Sequence, residues 1–463
     1  MEQDIAFGAL SLLPVLAVII IAIISKRAVE ALVAGTLFGV VILTASKGLP
    51  LLEGVGDWWY TWFEYVLSQI GNSAIYIVMF GMFGTLIRIL DDSGAALGFA
   101  KIGAKVANSR GKTLIFAWVL GIIIFISDFL TALGVGVAMK SLTDKWKISR
   151  EFLAFVVNST GAAVCIMAPI SSWGVFYSTQ LNNMTALGGM SGISAYAHSI
   201  PFMFYAIFAV LIVPFYSLGI IPLFGPMKKS ELRVKETGRV FPDWHYEGDA
   251  VEEMKSKAEP SSALNFIVPM LVLVAVAIWQ GITLAAILAS LVCFIMLLIQ
   301  KRMKLGDLVS KVILGFSDMF YVTALVIFAF VLQDINDALG LTPYVIEGVT
   351  PILSPALLPL IVFVVVSALA FSTGSFWGVA AISFPIVMPL AVDMGVSPFL
   401  TIAAVSTATA FGSQACFYSD SVTVVAAATG IRNMDYAKNS IPLIAVPFVL
   451  AMAANLIFGF IML

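Results

Sequence analysis

The sequence predicts an all-α polytopic membrane protein. It is built as two inverted repeats, each of five transmembrane helices plus one re-entrant helical hairpin, with broken helices at the midplane. Three observations predict it. Hydrophobic residues make up 60% of the 463 and charged residues only 11%, against roughly 25% charged in soluble domains. One polar pattern occurs twice inside apolar sequence. It runs IFISDFLTALGVGVAMK then FLAFVVNSTGAAVCIMAPISSWG, and again ALAFSTGSFWGVAAISFPIVMPL then TIAAVSTATAFGSQACFYSDS. The spacings agree: 30 positions from Asp128 to Asn158 and 31 from Ser375 to Ser406, 43 from Asp128 to Ser171 and 44 from Ser375 to Ser419. The third observation is the placement of the basic residues, taken up below.

Apolar runs of about 20 residues span a bilayer. Such runs fall at 8–25, 28–46, 72–90, 150–178 and 200–223, then at 263–279, 282–300, 309–333, 397–428 and 440–462. Two further segments, 113–141 and 356–392, are too long for one span, and each half of either is too short for a span of its own. They read as hairpins that enter and leave by one face. The repeats are thus 1–225 and 263–463, joined by a polar stretch, 226–262, with seven basic and eight acidic residues. That stretch reads as a cytoplasmic linker with room for a short amphipathic helix. With the N-terminus outside, 24 of the 25 Lys and Arg face the cytoplasm, and only Lys47 lies outside. So one-sided a count fixes orientation by the positive-inside rule. It places the C-terminus outside, opens the first hairpin to the cytoplasm and opens the second outward. The segment WWYTWFEYVL (58–67) reads as an outer interfacial helix. MEQDIAF is acidic and precedes a run of spanning length, unlike a cleavable signal.

Polar residues at membrane depth mark function by default. Ser127 and Asp128 form the first hairpin tip, and Asn158, Ser159, Thr160 and Gly161 the helix break expected to face it, with a second irregularity at Pro169. The second tip is Ser372, Thr373, Gly374 and Ser375; its facing break runs through Ser406, Thr407, Ala408 and Thr409, then Gly412, Ser413 and Gln414, then Ser419, Asp420 and Ser421. Asp128 and Asp420 also suit helix N-caps, a role compatible with ion binding. Asn, Ser and Thr in these stretches equally serve interhelical packing. As Na+ ligands the pattern offers Asp128, Asn158, Thr160, Thr373, Thr407 and Asp420, because hard cations take oxygen. Asp128, Asp318 and Asp420 are the candidate proton carriers. Cys165, Cys293 and Cys416 lack metal-ligand spacing and read as packing residues, His245 as solvated and His198 as a structural hydrogen-bonder.

At these residues the chain resembles the NhaC family of sodium/proton antiporters, within the larger ion-transporter superfamily. DFLTALGVGVAMKSLTDKWKISREFLAFVVNSTGAAV, FSTGSFWG and FGSQACFYSDSVTVVAAATG carry the resemblance. It implies a transport domain of hairpins and broken helices beside a scaffold, a homodimer and elevator-like movement. In that family an acid usually stands where this chain has Asn158, and another where it has Ser413, whereas Asp128 and Asp420 are kept. Fewer titratable groups also suit a relative that uses Na+ to move a small organic solute.

The expected function is therefore Na+-coupled secondary transport in the cell membrane: Na+/H+ antiport, or Na+-linked transport of an amino acid or carboxylate. No cofactor beyond the coupling ion Na+ is called for, and no basic patch calls for nucleic acid. A channel would show a filter of repeated carbonyls or charges. An intramembrane aspartyl hydrolase would need Asp128 and Asp420 face to face, and neither stands in a GxGD setting.

Overall fold

The computed structural model describes residues 7–25, 28–45, 55–95, 98–99, 107–125, 127–169, 171–181, 184, 187–243, 261–280, 282–349, 354–374 and 376–462. Helices are the only regular elements among them. In chain order they are α1 (Leu13–Ser25), α2 (Ala28–Ala45), α3 (Val55–Asn72), α4 (Ala74–Asp92), α5 (Arg110–Ile123), α6 (Asp128–Lys145) and α7 (Arg150–Met167). Then follow α8 (Ser172–Leu181), α9 (Gly192–Ser199), α10 (Phe204–Ser217), α11 (Gly225–Thr237), α12 (Leu264–Gln280), α13 (Ile282–Ile299) and α14 (Leu305–Asp318). The last are α15 (Phe320–Ala338), α16 (Leu341–Val349), α17 (Leu358–Thr373), α18 (Phe376–Asp393), α19 (Pro398–Ala415), α20 (Asp420–Thr429) and α21 (Asn433–Ile461). Among the described residues, four helices are long and apolar enough to cross a bilayer unaided, and three bent pairs raise the number to seven. The protein is a polytopic helical membrane protein.

Both segments expected as hairpins are helix–turn–helix units, α5–α6 and α17–α18. The second turns at Gly374, whose φ of +66° favours glycine. A Cβ there would also run into the Tyr418 ring. Within the expected linker α11 forms a helix, while 244–260, with His245, lies outside the described residues. The predicted span 309–333 is divided between α14 and α15 at Met319.

The broken helices require a correction. α7 runs unbroken through Asn158–Gly161, and α19 through Ser406–Thr409. The interruptions fall later, at Ala168–Ser171 and at Cys416–Ser419. Helix-compatible hydroxyls bond back to their own turn and do not break it. Thr160 Oγ1 donates to Val156 O at 3.0 Å and Thr407 Oγ1 to Ala403 O at 2.7 Å. With the breaks placed correctly, the internal repeat has one register. Asp128 and Phe376, Arg150 and Pro398, and Ser172 and Asp420 each start equivalent helices, 248 positions apart in every case.

Packing repeats as well. α4 lies against α13 and α14, as α15 lies against α2 and α3; α7 is flanked by α5 and α6, as α19 is by α17 and α18. Gly84 and Gly315 bring α4 and α14 together backbone to backbone, since a Cβ on either would collide with the other helix. Small residues are the usual device for close helix approach in membranes.

A polar clasp ties the ends of this bundle. Glu231 of α11 accepts from Ser149 N (3.0 Å) and Oγ (2.7 Å) and pairs with Arg110. Arg233 pairs with the buried Glu151 at 2.9 Å. Arg150 donates to both Asp144 oxygens (2.8 and 2.6 Å) and to Thr429 O (3.1 Å), beneath the Phe241 ring. Arg150→Ala leaves these acceptors without a donor, and should cost about 2 kcal/mol, read as a lower Tm of the purified protein.

Candidate functional site

Four helices begin at the interrupted segments: α6 at Asp128, α8 at Ser172, α18 at Phe376 and α20 at Asp420. A serine precedes each: Ser127, Ser171, Ser375 and Ser419. Serine suits this position because its hydroxyl can take up an orphan N–H of the first turn. At both interrupted helices it does more. Ser171 Oγ accepts from Gly174 N (3.0 Å) and donates to Cys165 O (2.5 Å). Ser419 Oγ accepts from Val422 N (3.2 Å) and donates to Ser413 O (2.6 Å). One side chain thus closes the end of one helix and opens the next, in the same way in each half.

α6 packs along α20, and their first residues are the two deep acids. Asp128 and Asp420 are buried, 5% and 6% exposed, and lie within electrostatic reach of one another. Asp420 Oδ1 accepts from Ser421 N at 2.7 Å. Asp128 Oδ2 has no hydrogen-bond partner. Gly161 of α7 lies opposite: a methyl group there would sit 3.8 Å from Asp128 Cβ.

A buried network fastens this acid corner. Asn158 Nδ2 donates to Tyr436 Oη at 2.8 Å, and its Oδ1 accepts from Ser421 Oγ at 3.0 Å. Tyr436 Oη donates to Gln414 O (3.1 Å), Gln414 Nε2 to Ser159 Oγ (2.8 Å), and Tyr205 Oη to Gln414 Oε1 (2.5 Å). The middle of α7 is thereby wired to α19, to α21 and to the first turn of α20. Asn158 thus meets the other half's short helix, where the sequence expected it to face the first hairpin's tip. The converse contact runs from α19 to α8, where Tyr177 Oη meets Thr409 Oγ1 at 2.5 Å.

The remaining candidates sort by position. The second tip touches the second interruption: Tyr418 Oη donates to Ser372 O, and Gly374 sits against the Tyr418 ring. Thr373 Oγ1 donates to Leu369 O at 2.9 Å, and Ser413 Oγ is buried without a partner. Ser375 lies outside the described residues. Thr407 lies nine residues ahead of the interruption that begins at Cys416, or roughly 13 Å along the helix. Asp318 is not part of the corner. It pairs with Arg88 at 2.9 Å, with side chains 44% and 35% exposed. Tyr436, Tyr205 and Trp173 were missed from sequence. A usable signal was present for one of them: the sequence Ser-x-Trp-Gly-Val occurs at 171–175 and again at 375–379.

Two buried carboxylates and a wired polar core inside a polytopic apolar bundle define a membrane transporter. The chain belongs to the Na+/H+ antiporter family, whose model matches residues 164–463. A protein of Haemophilus influenzae described as uncharacterized is 24% identical over 99% of this chain and 92% of its own. The solved structure of Neisseria gonorrhoeae MtrF, presented as illuminating a class of antimetabolite efflux pumps, is 12% identical. It covers 86% of this chain and 85% of its own, with a TM-score of 0.37.

Proposed function

We propose that the protein exchanges Na+ for H+ across the cell membrane at the corner formed by Asp128 and Asp420. The observation that carries this reading is the buried pair itself, with Asp128 Oδ2 left open. Charge buried in apolar surroundings must be neutralised or paired. Protons can do this and so can a cation, but the two fillings exclude one another. Exchange follows when the corner opens alternately to each side. Ser127, Ser159 and Ser419 frame the two acids, and Asn158 orients the corner through Ser421. Thr160 spends its hydrogen on its own helix. That leaves oxygen lone pairs, which a hard cation requires.

The wider assignment follows the sequence. The two halves act as inverted repeats, with the N- and C-termini outside. α5–α8 and α17–α20 move as the transport body of a homodimer by an elevator-like mechanism. The repeated register and the exchanged packing of α4 and α15 support it, as does the family of the chain. The test is a proteoliposome with a trapped pH indicator. An imposed Na+ gradient should drive protons the opposite way, saturably and without any organic solute. A correctly inserted protein that gives no proton response to Na+ would overturn the reading.

A further inference from the structure

One indole stands between the two hairpins. Asp128 opens α6 after the first tip, and Phe376, 248 positions on, opens α18 after the second. Trp173 of α8 reaches both. Its N–H donates to the Asp128 carboxyl and has no other partner. Its ring lies flat on Phe376, with centroids 4.4 Å apart and planes within 8°. Trp377, the next residue of α18, closes on the same indole at 5.2 Å. The Trp173 side chain is wholly buried.

The backbone beside it is held as firmly. Gly174 N donates to Ser171 Oγ at 3.0 Å, and a Cβ on Gly174 would stand 2.3 Å from Ala168 O. The indole is thus fixed behind by the interruption between α7 and α8, and in front by two rings of the other half. The carboxyl it serves has less support. The χ2 torsion of an aspartate is broad, and Asp128 Oδ2 has no partner to fix it. An indole N–H is a donor only. It can hold one carboxyl oxygen and leave the other to a cation, but cannot ligate the cation itself.

We infer that Trp173 is a positioning residue of the ion corner: it sets the Asp128 carboxyl for Na+, and does so only while Phe376 keeps the second tip seated against it. The inference rests on the exchange reading for the identity of the ion. A displaced second tip takes away the flat support of the indole and lets the carboxyl turn. Na+ at Asp128 and a seated second tip therefore favour one another, by the same factor in each direction. The link has one copy. Where the register would repeat Trp173 the second half has Ser421, whose hydroxyl goes to Asn158. The tip thus acts on Asp128 and not on Asp420.

The experiment uses full-length protein in proteoliposomes, with Na+-driven proton movement followed against Na+ concentration. Trp173→Phe keeps a ring against Phe376 and loses the N–H. It should raise the Na+ concentration for half-maximal exchange about tenfold, the worth of one buried hydrogen bond to a charged group, with the maximal rate little changed. Phe376→Leu keeps the N–H and loses the stack. It should shift the same parameter the same way, by about threefold, as loss of an aromatic pair does. The tip is read separately in detergent, by maleimide labelling of Ser372→Cys. Na+ should slow that labelling relative to choline, and adding Trp173→Phe should abolish the protection. The Tm of each variant reports that it is folded. Where Trp173→Phe is not, Phe376→Leu decides alone, by its Na+ requirement and by its effect on the labelling. The inference is overturned if either folded variant keeps the wild-type Na+ requirement, or if the loss falls on the maximal rate alone. It is equally overturned if Na+ protects position 372 to the same extent with and without the indole N–H. The exchange reading fails on a different result, a wild-type protein in which Na+ moves no protons, and the labelling still reads the inference there.

Discussion

Asp128→Asn reduces Na+-driven proton movement in vesicles by roughly 100-fold or more, as expected when a group that carries the proton is removed, and Asp420→Asn does the same. The amide is close to isosteric. In Asp420→Asn the side-chain oxygen can still accept from Ser421 N, the one contact that Asp420 Oδ1 makes. In Asp128→Asn the side-chain oxygen can still accept from the Trp173 indole and the backbone N–H groups at the α6 start. Both variants therefore remove charge and leave the fold, which an unchanged Tm verifies. Asp318→Asn is the control. That acid pairs with Arg88 near the surface, away from the corner, and its loss should leave exchange within about twofold, as exposed pairs contribute little. If either corner variant retains a tenth of wild-type exchange, the acid concerned is not a shared site for Na+ and H+.

Much of this was legible before the structure. The two acids, the hairpin segments and the doubled pattern are visible because a polar residue in a long apolar run has no ordinary reason to be there. Composition reads well for the same reason: the bilayer imposes one rule on every segment. The positions of the interruptions were less legible. Asn158-Ser159-Thr160-Gly161 looks more breakable than Ala168-Pro169, yet its hydroxyls and amide are spent inside and between helices. The interruptions fall where a serine caps the next helix and bonds back six residues, from Ser171 to Cys165 and from Ser419 to Ser413. No local propensity separates Ser171 from Ser159. Asp318 stands inside the apolar run 309–333, yet Arg88, far off in sequence, pairs with it near the surface. Tyr436 escaped for a related reason: its hydroxyl matters only through partners on other helices.

Asn158→Ala has the second large effect, and on two readouts at once. The side chain holds both of its polar partners, Tyr436 Oη at 2.8 Å and Ser421 Oγ at 3.0 Å. Truncation leaves those groups in a dry core, where polar networks are worth most when complete. A loss of about 3 kcal/mol is expected from two buried bonds, seen as a drop in Tm. The same bonds hold the first turn of α20, where Asp420 stands, against α7. Loosening that turn should raise the Na+ concentration for half-maximal exchange roughly tenfold, the equivalent of one such bond. Thr407→Ala is the contrast. Its hydroxyl donates to Ala403 O within its own helix, so its removal strands no partner on another element and should shift the Na+ requirement about twofold. Measuring both variants at matched expression separates a wired corner from a string of independent oxygens. A Thr407→Ala shift as large as that of Asn158→Ala would place the Na+ ligands along α19, and would move the centre of the site away from the α6–α20 contact.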